Sequence, residues 1–148
     1  MKVIAQNKKA SHEYFLLDTF EVGIVLKGTE IKSVRATKVS IQDAYCTFKD
    51  EEMFIVNMHI TKYAHGNIFN HEETRRRKLL LHKKQIIKMF NKVSQEGLTV
   101  VPLKVYMEKG LCKLEIAIAK GKKNYDKRQS LKEKDAKRNI AKSLKERY

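Results

Sequence analysis

The sequence predicts a mainly β protein, a small barrel with flanking helices that is followed by a basic tail. Five or six short segments are rich in β-branched and aromatic residues, and they do not alternate with helices as in a parallel sheet. Only one segment has a clear helical period. The last 29 residues carry twelve Lys or Arg against four Asp or Glu, which is +8 of the total net charge of +15.

The first long strand is predicted over residues 13–26, where aromatic and branched side chains dominate. Gly23 within it indicates a bulge or a close approach of another chain segment. A short helix should open at Gly28, with Thr29 as its N-cap. Ile31 and Val34 are expected on the inner face of that helix.

Two further strands are predicted at residues 44–48 and 53–58, joined by the acidic turn 49–52. Residues 61–77 are polar without a regular period, so they predict a long loop. Residues 82–95 form the clearest helix, with Gly97 as its stop. Its inner face should consist of Ile86, Ile87, Phe90 and Val93.

Residues 98–107 and 111–119 predict a β-hairpin around the turn 108–110. The second strand alternates cleanly, which places Leu114, Ile116 and Ile118 on one face together with Cys112. Pro102 indicates an edge or an irregular stretch in the first strand. Together these elements favour an oligonucleotide-binding barrel (OB fold), which presents a curved face and loops to nucleic acid.

The cysteine content and the N-terminus predict a cytoplasmic location. Cys46 and Cys112 are the only cysteines, and the first residues lack the apolar core of a secretory signal. Reduced, buried thiols are therefore expected. No apolar run approaches the length of a membrane span.

The charge predicts a polyanionic partner. The pI is about 9.8, and residues 1–119 carry a net +7 even without the tail. Neutralising phosphates releases condensed counterions, so nucleic acid is the favoured partner. An anionic membrane surface would attract the same charge, and a basic surface that serves only solubility is the third alternative.

Two clusters in the body have the composition of RNA contacts. Residues 7–14 combine the cations Lys8 and Lys9 with His12 and Tyr14, which can stack on bases. The alternative is an exposed arm followed by a core tyrosine. Residues 75–78 are four consecutive cations whose mutual repulsion phosphates would relieve. The alternative there is a solvated charge run.

No catalytic, metal or cofactor motif is evident. His59, His65, His71 and His82 lack the spacing of zinc ligands, and surface histidines are the expectation. The string KGKK at residues 120–123 lacks the features of a phosphate-binding loop. An RNA-cleaving or RNA-modifying enzyme that uses these histidines remains an alternative hypothesis.

The tail, residues 121–148, is predicted to form a helix only against a partner. Ser130 and Glu133 have capping-box spacing. Ala136, Ile140 and Leu144 recur every fourth residue, but this apolar stripe is too thin to hold a helix alone. A frayed basic tail is the alternative. Tyr125 lies beside cations, as a base-stacking contact requires, although it could merely close the barrel.

Four strings in order give the chain a close resemblance to the bacterial SsrA-binding protein family (small protein B), the partner of transfer-messenger RNA in trans-translation. They are NKKASHEYF at 7–15, FEVGIVLKGTEIKSVR at 20–35, RKLLLHKKQI at 77–86 and AKGKKNYDKR at 119–128. The resemblance implies an OB-fold body, residues 1–120, that holds the tRNA-like domain of that RNA. With the clusters above, it gives this set of expected RNA-binding residues: Asn7, Lys8, His12, Tyr14, Glu21, Lys32, Arg35, Arg75, Arg77, Lys78 and Leu80.

The resemblance also implies that the tail enters the decoding centre and the empty mRNA channel of a stalled ribosome. Its implied residues, with Gly121 as a hinge and Tyr125 as a stacker, are Gly121, Lys122, Lys123, Tyr125, Asp126, Lys127, Arg128, Lys137 and Arg138. Elongation factor Tu is an expected partner in the delivery complex, and a non-enzymatic monomer without cofactors is expected. Lys62 and Glu73 stand where the family often has proline, so the loop 61–77 departs from its pattern.

Overall fold

The computed structural model describes residues 1–64 and 70–122. Within them the helices are α1 Ala10–Glu13, α2 Gly28–Arg35 and α3 Lys83–Glu96. The strands are β1 Lys2–Gln6, β2 Tyr14–Ile24, β3 Val39–Ser40, β4 Tyr45–Lys49, β5 Glu52–Val56, β6 His59–Ile60, β7 Arg77–Leu80, β8 Thr99–Glu108 and β9 Leu111–Gly121.

Six strands close into an antiparallel barrel. Their order is β8-β4-β5-β7-β2-β9, and β9 pairs back onto β8. β1 pairs with the second half of β8 outside this ring, and β3 pairs with β6 as a separate short ribbon. The predicted mainly β fold is confirmed. The short strands β1, β3, β6 and β7 were missed because their sequences carry too few residues to establish a period of two.

Strand β2 confirms the prediction for residues 13–26, and of the two alternatives for Gly23 it shows the close approach and not the bulge. The register shifts between Leu16 and Asp18, not at Gly23. Gly23 marks the close approach instead, since it pairs with Leu80 and a Cβ there would meet Leu80 Cδ1 at 3.3 Å. Its lack of a side chain leaves room for Leu80 on the outer face of the barrel.

The predicted N-cap of α2 is wrong. Lys27 is the N-cap, and its backbone N–H donates to Glu30 Oε1 at 2.7 Å. The buried side of this helix consists of Glu30, Ser33 and Val34, whereas Ile31 is only half-buried. A charged side chain thus occupies a core position, which a hydrophobic pattern cannot indicate.

Helix α3 begins and ends where the sequence predicted, with Gly97 in the left-handed region at φ 64°. Its predicted inner face is partly wrong. Ile86 and Met89 are buried, but Ile87 and Phe90 are 39% and 48% exposed. The convex barrel contacts a narrower stripe of the helix than its full apolar face, so the remainder faces outward.

The hairpin of β8 and β9 confirms the prediction, with Lys109 and Gly110 both at positive φ in a tight turn. Ala117 and Ala119 are buried as well as Ile116 and Ile118, and Ala119 packs with Ala10 of α1 on the other face of the strand. Pro102 adjoins a register irregularity and not a sheet edge.

Both thiols are free; Cys46 is buried, and partial burial raises the pKa of Cys112 to about 11.

Candidate nucleic-acid interface

Arg77 does not face outward. It is fully buried, and its guanidinium donates to the Glu30 carboxylate, to the carbonyl oxygen of Met58 at 2.6 Å and to that of Glu73 at 3.1 Å. These bonds occupy all three guanidinium nitrogens. Its predicted RNA contact does not agree with this placement, because reaching RNA would require extracting a paired cation from the core.

Arg75 shares the same carboxylate. Its Nη2 donates to Glu30 Oε1 at 2.6 Å, and its side chain is 27% exposed. Burial opposes ionisation of Glu30, but hydrogen bonds from Arg75, the Lys27 amide and Arg77 outweigh it and hold the pKa of the carboxyl below its usual value. Glu30 therefore offsets one of the four positive charges of the run 75–78.

The rest of the run projects from the barrel. Arg76 and Lys78 are exposed because residues of β7 alternate between the interior and the outer face. The Lys78 ammonium pairs with Glu52, and the Arg76 guanidinium lies 4.4 Å from the ring centroid of Phe54. The run 75–78 is thus a pair of outward cations above a buried ion network.

His71 corrects the expectation of surface histidines. It is buried, with Nδ1 2.9 Å from Thr29 Oγ1 and Nε2 2.8 Å from the carbonyl oxygen of Ile60. A carbonyl can only accept, so Nε2 carries a hydrogen. The ring links α2 to β6 and leaves neither nitrogen for a metal or a substrate.

The structure brings together three of the predicted RNA-binding residues. Glu21, Lys78 and Leu80 line one open cleft of about 690 Å³, which extends to the N-terminus of α3. Leu80 is 52% exposed and packs over Gly23, so it presents an apolar surface to the cleft. An exposed apolar side chain flanked by charged groups can pack against a base or a ribose.

Glu21 is held ionised in this cleft. Hydrogen bonds from Tyr106 and then from Lys113 lower the pKa of its carboxyl. Lys113 Nζ lies 3.1 Å from Glu21 Oε1. Burial and the bond to Glu21 raise the pKa of the Tyr106 hydroxyl, which keeps it a donor. Glu21 is consequently an exposed, oriented hydrogen-bond acceptor.

Asn7 joins the N-terminal arm to β8. Its backbone N–H donates to the carbonyl oxygen of Leu103 and its Nδ2 donates to that of Pro102 at 3.0 Å, while the buried Oδ1 has no hydrogen-bond partner within residues 1–64 and 70–122. Lys8 and His12 are exposed nearby, whereas Tyr14 is half-buried against the cluster of Ala10, Val101 and Ala119. Asn7 therefore positions this arm on the barrel.

The remaining predicted body residues lie on α2. Lys32 and Arg35 are exposed, and Lys32 Nζ lies 5.1 Å from the ring centroid of Tyr63. Glu30 and Thr29 of the same helix hold the segment from residue 70 to 77 beside it. The buried network thus fixes the segment that carries Arg76 and Lys78 against α2, the helix that carries Lys32 and Arg35.

Strand β9 ends where the predicted tail begins. Gly121 is its last residue and pairs with Tyr14, and Lys122 Nζ donates to the Ser11 carbonyl at 2.8 Å and lies 5.2 Å from the Phe15 ring centroid. Lys122 therefore fixes the start of the tail on α1 and β2. The other tail residues, Lys123, Tyr125, Asp126, Lys127, Arg128, Lys137 and Arg138, lie outside the described residues.

Residues 1–64 and 70–122 contain no group of three or more His, Cys, Asp or Glu side chains that could hold a metal ion. None of the helices in this part of the chain has both the length and the apolar character needed to span a bilayer.

Sequence reasoning missed three participants in this surface. The sequence does not distinguish Arg76 from the other cations of the run 75–78. It places Phe54 in a strand without indicating a contact with Arg76. Tyr106 was not connected with Glu21 because 85 residues separate them in the chain. The available signal was the alternation in residues 75–78, which puts Arg76 and Lys78 on one face as soon as that segment is recognised as a strand.

The closed antiparallel barrel belongs to the predicted OB-fold class, with six strands in place of the usual five. The family model described as SmpB protein matches residues 4–146. The chain belongs to the SmpB protein family.

Relatives and a solved structure agree with this assignment. The SsrA-binding protein of Shouchella clausii is 56% identical over 146 residues, which is 99% of this chain and 94% of that protein. That of Listeria welshimeri is 53% identical, covering 99% and 95%. A chain in the solved structure described as "tmRNA-SmpB: a journey to the center of the bacterial ribosome" is 43% identical, covers 91% of this chain and 95% of its own length, and has a TM-score of 0.70.

Proposed function

We propose that this protein is an RNA-binding adaptor that holds the tRNA-like domain of transfer-messenger RNA and delivers it to stalled ribosomes for trans-translation. The observation that carries the proposal is the similarity, over 91% of the chain, to a protein solved with transfer-messenger RNA in the bacterial ribosome. The relatives named SsrA-binding protein support the same RNA partner.

The body supplies recognition in this proposal. Glu21, Lys78 and Leu80 share one cleft with the acidic residues Asp50, Glu51 and Glu52. Recognition there rests on hydrogen bonds and packing to bases or riboses and not on phosphate attraction. Lys8, His12, Lys32, Arg35 and Arg75 supply further contacts, while Asn7, Tyr14 and Arg77 position the surface.

The tail supplies ribosome recognition. Residues 121–148 enter the decoding centre and the empty mRNA channel, where Tyr125 stacks and the cations bind ribosomal RNA. A channel that holds message excludes the tail sterically, which selects stalled ribosomes.

The protein acts in the cytoplasm as a monomer without a catalytic step, with elongation factor Tu in the delivery complex. The alternative of an RNA-cleaving or RNA-modifying enzyme is disfavoured. His71, the histidine whose substitution would test that alternative first, has both ring nitrogens bonded inside the protein.

The purified full chain should bind the tRNA-like domain of transfer-messenger RNA at least tenfold more tightly than an unrelated structured RNA of equal length at about 0.2 M salt. Specific contacts persist when the counterion contribution shrinks. Filter binding or fluorescence anisotropy across a salt series measures this. Equal affinities that collapse together with salt would leave only phosphate attraction, and the proposed recognition would be wrong.

Glu21→Gln should weaken binding to the tRNA-like domain by roughly tenfold, although it makes the protein more positive by one charge. A charged acceptor hydrogen bond to RNA contributes more than a neutral one. Anisotropy titrations of wild type and variant measure the ratio. The matched control is Asp18→Asn, which removes an exposed carboxylate of the same strand that is paired with Lys92. Tighter binding by Glu21→Gln would show that Glu21 only repels phosphate or restrains Lys113.

A further inference from the structure

We propose that Arg76 and Phe54 form a stacking site for one unpaired base of the bound RNA. This inference rests on the proposed function, and it adds a subsite whose ligand is the flat face of a nucleobase and not a phosphate. Arg76 lies just before β7 and is exposed, and its guanidinium carbon is 4.4 Å from the ring centroid of Phe54 in β5.

The site sits on the open outer face of the barrel. Phe54 pairs across the sheet with Lys78 of β7 on one side and with Thr47 of β4 on the other. Side chains at paired positions share a face, so Lys78 lies beside the ring of Phe54. The half-buried ring of Phe54 thus contacts the Arg76 guanidinium on one side, and the Lys78 side chain lies beside the ring.

Electrostatics distinguish Arg76 from its neighbours. Arg75 and Arg77 share the Glu30 carboxylate, and Lys78 is paired with Glu52. Among the described residues, no carboxylate lies within ion-pair distance of the Arg76 guanidinium. It is therefore the cation of the 75–78 run that is both exposed and without a carboxylate partner in the part of the chain that the structure describes.

The chemistry of a guanidinium on an aromatic ring favours a base as the ligand. Contact with the ring quadrupole restrains the guanidinium on one side. The opposite side is available to a nucleobase, because bases stack on Arg planes as well as on aromatic side chains. A lysine at this position would keep the charge but offer no plane.

The test compares Arg76→Lys and Arg76→Ala with wild type in the full chain, using the tRNA-like domain as the probe. Arg76 is exposed, so both variants should fold. Both should lose about tenfold in affinity, the effect of removing one base stack. Lys84→Ala is the matched control, since Lys84 is an exposed cation on α3. It should change affinity by less than threefold.

A second pair of probes tests the stack directly: a short single-stranded RNA oligonucleotide and an abasic oligomer with the same number of phosphates. Wild type should prefer the oligonucleotide, and Arg76→Lys should reduce that preference several-fold, since the other side chains proposed to stack on bases remain. If Arg76→Lys binds both RNAs as wild type does, or if wild type binds the abasic oligomer equally well, the stacking site is wrong. Failure of the proposed function would give a different result. Wild type would then bind the tRNA-like domain and unrelated RNA equally, but it would still bind the oligonucleotide more tightly than the abasic oligomer.

Discussion

Truncation after Lys122 is expected to abolish peptide tagging while affinity for the tRNA-like domain stays within about threefold of wild type at about 0.2 M salt. The barrel should survive, because β9 completes its pairing with β2 at Gly121 and Lys122 keeps its bond to Ser11. Residues 123–148 carry a net charge of +6. Their loss should weaken non-specific RNA binding chiefly at low salt.

Reconstituted translation on an mRNA that lacks a stop codon, together with anisotropy titrations, measures both quantities. The control is a chain in which the order of residues 123–148 is scrambled. It keeps the net charge of the tail and loses its sequence. Tagging by the scrambled chain would show that charge alone suffices. Equal loss of RNA binding and tagging in the truncated chain would contradict the division between body and tail.

Glu30→Gln is expected to lower the free energy of unfolding by about 3–5 kcal/mol, since removing one partner of a buried ion pair leaves an uncompensated charge in the core. Glu30 is the counter-ion of the fully buried Arg77 and of Arg75. Denaturant unfolding measures the change. The matched control is Glu52→Gln at the exposed pair with Lys78, where less than about 1 kcal/mol is expected.

The stabilisation by Glu30 should also depend on pH. Because its pKa is lowered in the folded protein, its contribution is complete above the pKa of a carboxyl in the unfolded chain. It is lost as the pH falls through the lower folded value. Glu30→Gln should therefore flatten the acid limb of the stability curve. A variant within 1 kcal/mol of wild type, with the same acid limb, would mean that the buried pair adds nothing to stability.

Local patterns were sufficient for the long elements. The alternation in residues 111–119 and the turn at Lys109 and Gly110 predicted the β8–β9 hairpin, because both signals lie within a few residues of one another. The period of residues 82–95 and Gly97 likewise predicted α3 and its end. Which side of α3 is buried did not follow, since the apolar stripe is wider than the contact that the barrel offers.

The sequence by itself determined a basic, mainly β barrel and the positions of its charged clusters. Only the tertiary structure decided which charges face outward. Arg77 is buried because Glu30, 47 residues earlier in the chain, lies inside the fold opposite it. Glu21 is an oriented acceptor because Tyr106 and Lys113 reach it from β8 and β9. Such pairings join residues that are distant in the chain, so they arise from barrel closure, and no local periodicity records them.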